Sequence, residues 1–441
     1  MKVIRFWLFS LILLLGFAVL AADPKSFLQE QKKIRIYVDS APGFGHQSAG
    51  ISVMRRLREL GFQGEFEVVY QASVAAKIKK IYPGFPDGIE NEVKYLSTEE
   101  YQNARKQGKI EKLKLAMSGA DDGFGSEFAR VSMAETYLRL QPLGWGSAAL
   151  YEKNARVLFT LQDLPLTNLQ SPEADQFVET LKNQTDLPED KKQFALKFAD
   201  IAQNHLSFPV YGVGIQAFAP QKVYFYAKAV KSAAQRMSSD KAVIIPVVSP
   251  FNADEMDTVK KVFGKVEGFE AAATTERKHQ NQMHLLTPQE FSALEKLKPG
   301  NLYFVFVGSV PQNVFNFFYE SANLPVWVAG KNAMSFAATK GKVYLNTVDD
   351  YHLPGREKLS AEANKKLERA LVAFNNGYQE YANQGYLTAL SQFIQESSTP
   401  GTELQKFYSG IGEKLSANDK VLEGLRNVIG TPSIHMCRDI F

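Results

Sequence analysis

One cysteine, Cys437, occurs in 441 residues. An internal disulfide is therefore excluded, and the fold has to be held by core packing. No Cys/His spacing of a zinc site is present either. Charge of one sign is also scarce. Lys and Arg number 51 against 47 Asp and Glu, a formal net charge of +4. The basic residues are dispersed, so no tract argues for nucleic acid. The Gly-x-Ser-x-Gly elbow of serine hydrolases is missing. Its nearest approach, Gly45-His46-Gln47-Ser48-Ala49-Gly50, has one residue too many and follows the first strand, where the elbow does not normally lie. Long apolar runs are absent with one exception at the start of the chain, so no membrane span is expected after it.

That exception is Phe6 to Leu20, interrupted only by Ser10 and Gly16. Lys2 and Arg5 precede it, and Val19-Leu20-Ala21 closes it with the short side chains a signal peptidase reads. The run is about 15 residues, short of the ~20 that span hydrocarbon as a helix. Residues 1–22 are thus expected to be a secretory signal, cleaved after Ala21 or Ala22. No cysteine follows for lipid attachment. The body is expected to be exported, as a periplasmic or secreted protein.

The whole chain is 45% apolar and 12% aromatic, enough for a sizeable core, and the length of the body after the signal suggests two or three domains. Ile34 to Val38 reads as a strand, Ala41 to Gly45 as a turn, and His46 to Leu60 as a helix with Ala49, Val53, Leu57 and Leu60 on one face. Glu65 to Tyr70 and Val74 to Ile81 repeat the strand–helix alternation. Such a series requires a parallel sheet with covered faces. Leu113 to Met117 reads as a strand, Gly125 to Glu135 as a helix, Tyr137 to Leu140 as a strand, and 165–206 as mainly helical. A second series follows: Val210 to Ile215, a helix over 223–236, then strands at 242–248, 302–307, 326–328 and 343–345. Helices are expected from Pro311 and over Asn332 to Thr339, with Gly341 as cap. Ser360 to Ile429 reads as a helical tail broken at 397–401. The expected division is 23–206, 207–358 and the tail 359–441.

Chemistry is expected where a parallel sheet binds ligands, in the crevice beyond the carboxyl ends of its strands. Gly43 and Gly45 free the backbone after the first strand. His46 then sits at a helix N-terminus, where the dipole favours the neutral ring that a general base needs; the same position also suits a histidine that only caps the helix. Lys331 at the start of a helix adds a charge to an anion site, though a solvated lysine is the commoner outcome. Asp121-Asp122 and Asp349-Asp350 read as loop terminations and not as metal ligands. His279 and His284 read as part of a solvated polar segment. Trp145 and Trp327 read as loop or core aromatics before sugar-stacking ones.

A strand, then Gly43-Phe44-Gly45-His46-Gln47-Ser48-Ala49, then an amphipathic helix resembles the start of the GT-B glycosyltransferases. The nearest parallels are the peptidoglycan N-acetylglucosaminyltransferase and the diacylglycerol galactosyltransferases. Leu324-Pro325-Val326-Trp327-Val328-Ala329-Gly330-Lys331-Asn332-Ala333 resembles the donor loop of that family. The resemblance implies an α/β protein of two Rossmann-like domains with a helical C-terminal tail. It implies His46 as catalytic base and Gly43, Gly45 and Gln47 at the acceptor side. Gly308, Gly330, Lys331 and Asn332 fall to a nucleotide-sugar donor acting as co-substrate, with no other cofactor and no metal. One departure is visible: Met334 to Thr339 carries no carboxylate where the family's donor helix has a ribose-binding glutamate.

Two other readings fit the same residues. A periplasmic solute-binding protein, taking a small-molecule or glycan ligand, also has two α/β domains after a signal. A catalytically inactive GT-B scaffold would explain the absent glutamate. Connectivity separates the first: a binding protein threads its hinge two or three times, whereas a GT-B chain crosses once and returns a C-terminal helix to its first domain. For the signal, intact mass of the exported product is expected to give a mature chain starting at Ala22 or Asp23. A product retaining residues 1–20 contradicts the cleavage.

Overall fold

The structure is a computed structural model. It describes residues 23–39, 45–82, 85, 92–119, 128, 130–140, 150–152, 155–158, 165–167, 174–184, 187–212, 219–237, 241–248, 283–346, 353–377 and 384–430. The expected signal, the turn at Ala41 to Phe44, both Asp-Asp pairs, Trp145 and His279 lie outside these residues. The chain forms two compact units, residues 1–169 with 418–441, and residues 170–417. Among the described residues no helix is long and apolar enough to cross a membrane.

In the first unit, β1 (Lys33–Val38), β2 (Glu65–Tyr70), β3 (Val93–Ser97), β4 (Leu113–Ser118), β5 (Ala134–Arg139), β6 (Leu150–Glu152) and β7 (Ala155–Leu158) form one sheet. Its order is β3-β2-β1-β4-β5-β7-β6. Every pairing is parallel except β6 with β7. Alternation along the strands sorts the side chains onto two faces. Ile34, Ile36, Val38, Phe66, Val68, Leu115 and Met117 pack with Ala49, Val53 and Leu57 of helix α2 (Gly45–Glu59); helix α1 (Pro24–Gln29) supplies Leu28. On the opposite face Tyr37, Val69, Ala116 and Tyr137 meet Tyr101 and Phe128. Tyr37 stacks on Phe128 at 4.7 Å and meets Tyr137 edge-on at 5.9 Å.

That second face also buries a charge. Arg35 is fully buried and pairs with Glu67, its register partner on β2. Three further N–H groups donate to the carbonyls of Ser132, Met133 and Glu111, and Tyr101 lies 5.1 Å beneath the guanidinium. With a carboxylate and three carbonyls around it, the charge is tolerable in the interior. Helix α3 (Ala75–Ile81) follows β2, and α4 (Thr98–Lys106) follows β3 behind a capping box of Ser97 and Glu100. Sequence periodicity alone assigns neither β3 nor α4. The helix expected over 125–135 ends earlier: Met133 has φ +46°, and β5 begins at Ala134.

The second unit has a parallel sheet ordered β11-β12-β10-β9-β13-β14, with β8 also on β10. The strands are β8 (Leu206–Ser207), β9 (Val210–Tyr211), β10 (Val243–Val248), β11 (Met283–Leu286), β12 (Leu302–Phe306), β13 (Val326–Val328) and β14 (Tyr344–Asn346). Helices α5 (Ala174–Asn183) and α6 (Glu189–Ile201) were expected in the first domain but belong here. The reason is aromatic packing: Phe177, Phe194 and Phe198 share a core with Tyr303, Val305 and Phe318, and Phe177 stacks on Phe317 at 3.9 Å. The expected boundary at 206/207 therefore falls inside the second unit. Helix α7 (Ala219–Arg236) covers the other face, where Tyr226, Trp327 and Phe374 form a cluster. Trp327 is core, as its apolar flanks suggest. Helices α8 (Gln312–Glu320) and α9 (Lys331–Thr339) follow β12 and β13.

The tail is divided between the units. Helices α10 (Ala361–Asn376), α11 (Gln384–Ser398) and α12 (Glu403–Ser416) belong to the second, and α13 (Lys420–Gly430) to the first. Val421 and Leu425 of α13 enter the first unit's core, and Gly424 lies against Leu138 so closely that a Cβ would collide with it. Asp419 fixes the helix start. It is fully buried, accepts from Leu422 N at 2.8 Å and pairs with Arg56 of α2 at 2.7 Å. The chain thus leaves the first unit once, at 169/170, and returns with one helix, the connectivity expected of a GT-B-like fold.

Two predictions follow from this packing. Asp419→Ala leaves Arg56 with Glu59 as its remaining carboxylate, at 2.9 Å, and removes a helix cap, so it should cost about 2 kcal/mol in chemical denaturation; a loss under about 0.5 kcal/mol contradicts the role. At the amino edge of the second sheet, burial and nearby Lys241 and Lys298 hold His205 and His284 below the ordinary histidine value. His284 is not solvated as expected. It stacks on Tyr303 at 4.6 Å, and Asn301 Nδ2 lies 3.0 Å from its Nε2. Because the fold prefers the neutral rings, their stabilisation is full above the unfolded value of about 6.5 and is lost as pH falls through that value toward the lower folded one. Denaturation midpoints should fall from pH 7 to pH 5, and less steeply in His284→Gln.

Candidate functional site

Each sheet has a topological switch point, where neighbouring strands continue in opposite directions and leave a crevice at their carboxyl ends. In the first unit it lies between β1 and β4. Gly45 opens α2, His46 is half-buried in its first turn, and Gln47 is fully buried. Gln47 Nε2 donates to the Asp39 carbonyl at 3.0 Å, tying the helix start to the end of β1. Tyr82 OH donates to the Gln47 carbonyl at 3.0 Å. Gly119, just past β4, sits so near the Ala49–Gly50 peptide that a Cβ would lie 2.5 Å from Gly50 N. The close approach of strand end and helix requires glycine there. Gly43 lies outside the described residues.

Beside that turn the strands end in polar side chains. Asp39 follows β1 and Gln71 follows β2; Gln71 Nε2 donates to Asp39 Oδ1 at 3.1 Å. Ser118 ends β4, in register with Tyr37 on one side and with Arg139, the last residue of β5, on the other. Asp39 is 3% and Ser118 1% exposed, whereas Gln71 and Arg139 are half-buried.

In the second unit the switch point lies between β9 and β13. Gly212 follows β9 with φ +83°, and Gly330 precedes α9 with φ +93°. Gly330 has open space where a Cβ would stand, and no side chain caps the helix it begins. An uncapped first turn next to open space leaves backbone N–H groups for an anionic ligand. Lys331 opens the helix, its side chain lying outside the description, and Asn332 is half-buried in the same turn. Gly308 follows β12 with φ +70°, and its N–H turns back to the Val247 carbonyl at 3.3 Å. Tyr211 ends β9 and meets Phe315 of α8 edge-on at 5.4 Å. Burial raises the Tyr211 phenol above its ordinary value, so it remains protonated.

The glycines predicted for the donor side thus share one sheet edge with an aromatic ring, and Gly45, His46 and Gln47 share another. Residues 333–335 and 337–339 of α9 are buried and Asn332 and Phe336 half-buried, with Asn346 Nδ2 3.7 Å from Met334 Sδ. Sequence inspection does not single out Asp39, Gln71, Ser118, Arg139 or Tyr211. The signal was available, because the last polar residue after an apolar strand in a parallel sheet falls at the carboxyl edge. Among the described residues no group of three or more His, Cys, Asp and Glu is placed to hold a metal.

No protein-family model matches the chain, and no curated protein matches it. Several solved structures are similar over most of its length. A family 9 glycosyl transferase from Veillonella parvula is 10% identical, with 71% of this chain and 80% of that one covered and a TM-score of 0.35. The trehalose 6-phosphate synthase of Burkholderia multivorans is 12% identical, with 93% and 100% covered and a TM-score of 0.41. The UDP-GlcNAc 2-epimerase of Neisseria meningitidis, bound to UDP-GlcNAc, is 12% identical, with 92% and 99% covered and a TM-score of 0.39. At these values the fold stands on the strand order and the single return of the chain: two Rossmann-like units, GT-B-like in connectivity, with a helical C-terminal region.

Proposed function

We propose that the protein is an exported glycosyltransferase of GT-B type, with the second unit holding a nucleotide-sugar donor and the first handling the acceptor. The observation that supports it most is the connectivity. A single crossing with return of α13 to the first unit disfavours a solute-binding protein, whose hinge is threaded two or three times. In this reading the first turn of α9, opened by Gly330, faces the diphosphate with its N–H groups, and Tyr211 lies on the same edge. His46 takes the proton of an acceptor hydroxyl. That oxygen attacks the anomeric carbon as the bond to the nucleoside diphosphate breaks, and the helix N-terminus stabilises the charge on the leaving group. Export and a nucleotide-sugar donor are compatible where the protein reaches a cytosol that holds such donors.

The buried, carboxylate-free α9 supports a second reading, an inactive scaffold that keeps the fold without turnover. Calorimetry with UDP and other nucleoside diphosphates, together with assays of transfer and nucleotide-sugar hydrolysis, separates the two. For the transferase, His46→Ala should lower turnover about 10²–10⁴-fold while stability changes by no more than about 0.5 kcal/mol. Full activity in the variant refutes the base, and a large stability loss favours capping. Binding without turnover in the wild type selects the scaffold. Absence of any nucleoside diphosphate binding overturns the proposal.

A further inference from the structure

The second sheet ends at β11, a four-residue strand paired with β12 alone. Leu286 anchors it in the core, while His284 and Leu285 are half-buried. A short edge strand with so little buried surface opens locally at a smaller cost than the unit unfolds. His284 supplies what else holds it. Its ring stacks on Tyr303, its register partner on β12, with centroids 4.6 Å apart and planes 10° from parallel. Asn301 Nδ2 lies 3.0 Å from its Nε2. Tyr303 OH in turn accepts from Lys298 N at 2.9 Å, and Asn301 N closes the turn onto the Lys298 carbonyl at 3.2 Å. The edge strand, the turn and β12 are thus joined through one imidazole.

That junction works in one protonation state. An amide nitrogen only donates, so Nε2 is the accepting, unprotonated nitrogen of the ring. Once the ring is protonated both its nitrogens carry hydrogen, and Nε2–H meets the N–H of Asn301. Either the ring leaves or the amide turns over. Asn301 is 3% exposed and engaged in a further interaction, which opposes the turn. The surrounding charges give the imidazolium no support. Among the described residues Lys298 is the charge that acts on the ring, and it repels a second positive charge. Glu290, Glu295 and Lys296 of the 3-10 segment after β11 (Pro288–Lys296) do not act on it. Glu290 is occupied in capping, accepting from Thr287 N at 2.7 Å and Thr287 Oγ1 at 3.0 Å. Leu302 to Phe306 of β12 carries no charged side chain.

We propose that β11 is an acid-released edge strand: protonation of His284 detaches Met283–Leu286 from β12 while the rest of the sheet stays paired. Release is confined to one edge, unlike a general loss of stability in acid, and it bares the row of β12 backbone groups that β11 covers, a template for another strand. A released ring has the ordinary value of about 6.5, so opening is favoured as pH falls below it, by at most about tenfold one pH unit lower. Hydrogen exchange read by mass spectrometry on the mature full-length protein, at pH 7.5 and at pH 5.5 and corrected for the intrinsic effect of pH, tests it. Residues 283–286 should exchange about three- to tenfold faster at the lower pH, with β10 and β1 unchanged. In His284→Gln, whose amide oxygen still accepts from Asn301 but takes no proton, that response should vanish. In His205→Gln, just before β8 and separated from β11 by β10 and β12, it should remain. Proton NMR of the wild-type protein needs no variant: the His284 ring, identified by its contact with Tyr303, should titrate over the same pH interval as the opening. Equal protection at both pH values, an equal acid response in β10, a response that persists in His284→Gln or disappears in His205→Gln, or a His284 ring already protonated at pH 7.5 each overturns the assignment.

Discussion

Strands hydrogen-bonded in parallel all end on the same edge, and that constraint organises both units. A parallel neighbour cannot be reached by a tight turn, so each strand must be followed by a crossover that covers a face of the sheet. Helices α2, α3 and α4 do this in the first unit, and α7, α8 and α9 in the second. The faces become apolar, and what the chain carries in polar residues is displaced to the strand ends. The carboxyl ends then bring together residues far apart in sequence: Asp39 beside Gln71 by a 3.1 Å hydrogen bond, and Ser118 beside Arg139 by register.

Two kinds of buried polar group result, and they differ in how completely they are satisfied. Arg35 sits in mid-strand, and its guanidinium has a carboxylate, several carbonyls and an aromatic ring around it. The group is structural. Ser118 and Gln47 sit at the strand end and helix start with atoms left over.

The second unit achieves its site differently. Its switch point is made of backbone: positive φ at Gly212, Gly308 and Gly330, and a helix with no capping side chain. Such a site needs few distinctive side chains. The buried surface of α9 shows that the helix is held by packing on both sides, which leaves its first turn as the part able to meet a ligand. The single return of α13, clamped by Asp419 to Arg56 and seated by Gly424 on Leu138, makes the last helix a piece of the first unit's core.

Most strands and their following helices were legible in the sequence. Ile34 to Val38 and Leu302 to Val307 are β-branched and aromatic runs that suit buried strands, and the 3.6-residue periodicity after Gly45 is plain. Two residues that turn the chain, Gly308 and Gly330, were also legible, because their positive φ excludes most other residues. Less legible were β3 and α4, whose burial depends on neighbours, and the unit boundary. Phe177 and Phe198 look alike whichever core they enter, and only their contacts with Phe317 and Phe318 assign them. By itself the sequence determined the α/β class, the alternation of elements and the helix that carries His46, because local periodicity and backbone sterics are properties of short segments. Only the tertiary structure decided which unit owns helices 174–201 and 420–430, and that Asp39, Gln47, Gln71, Ser118 and Arg139 share one edge. Strand order and register are set by packing between segments distant in the chain.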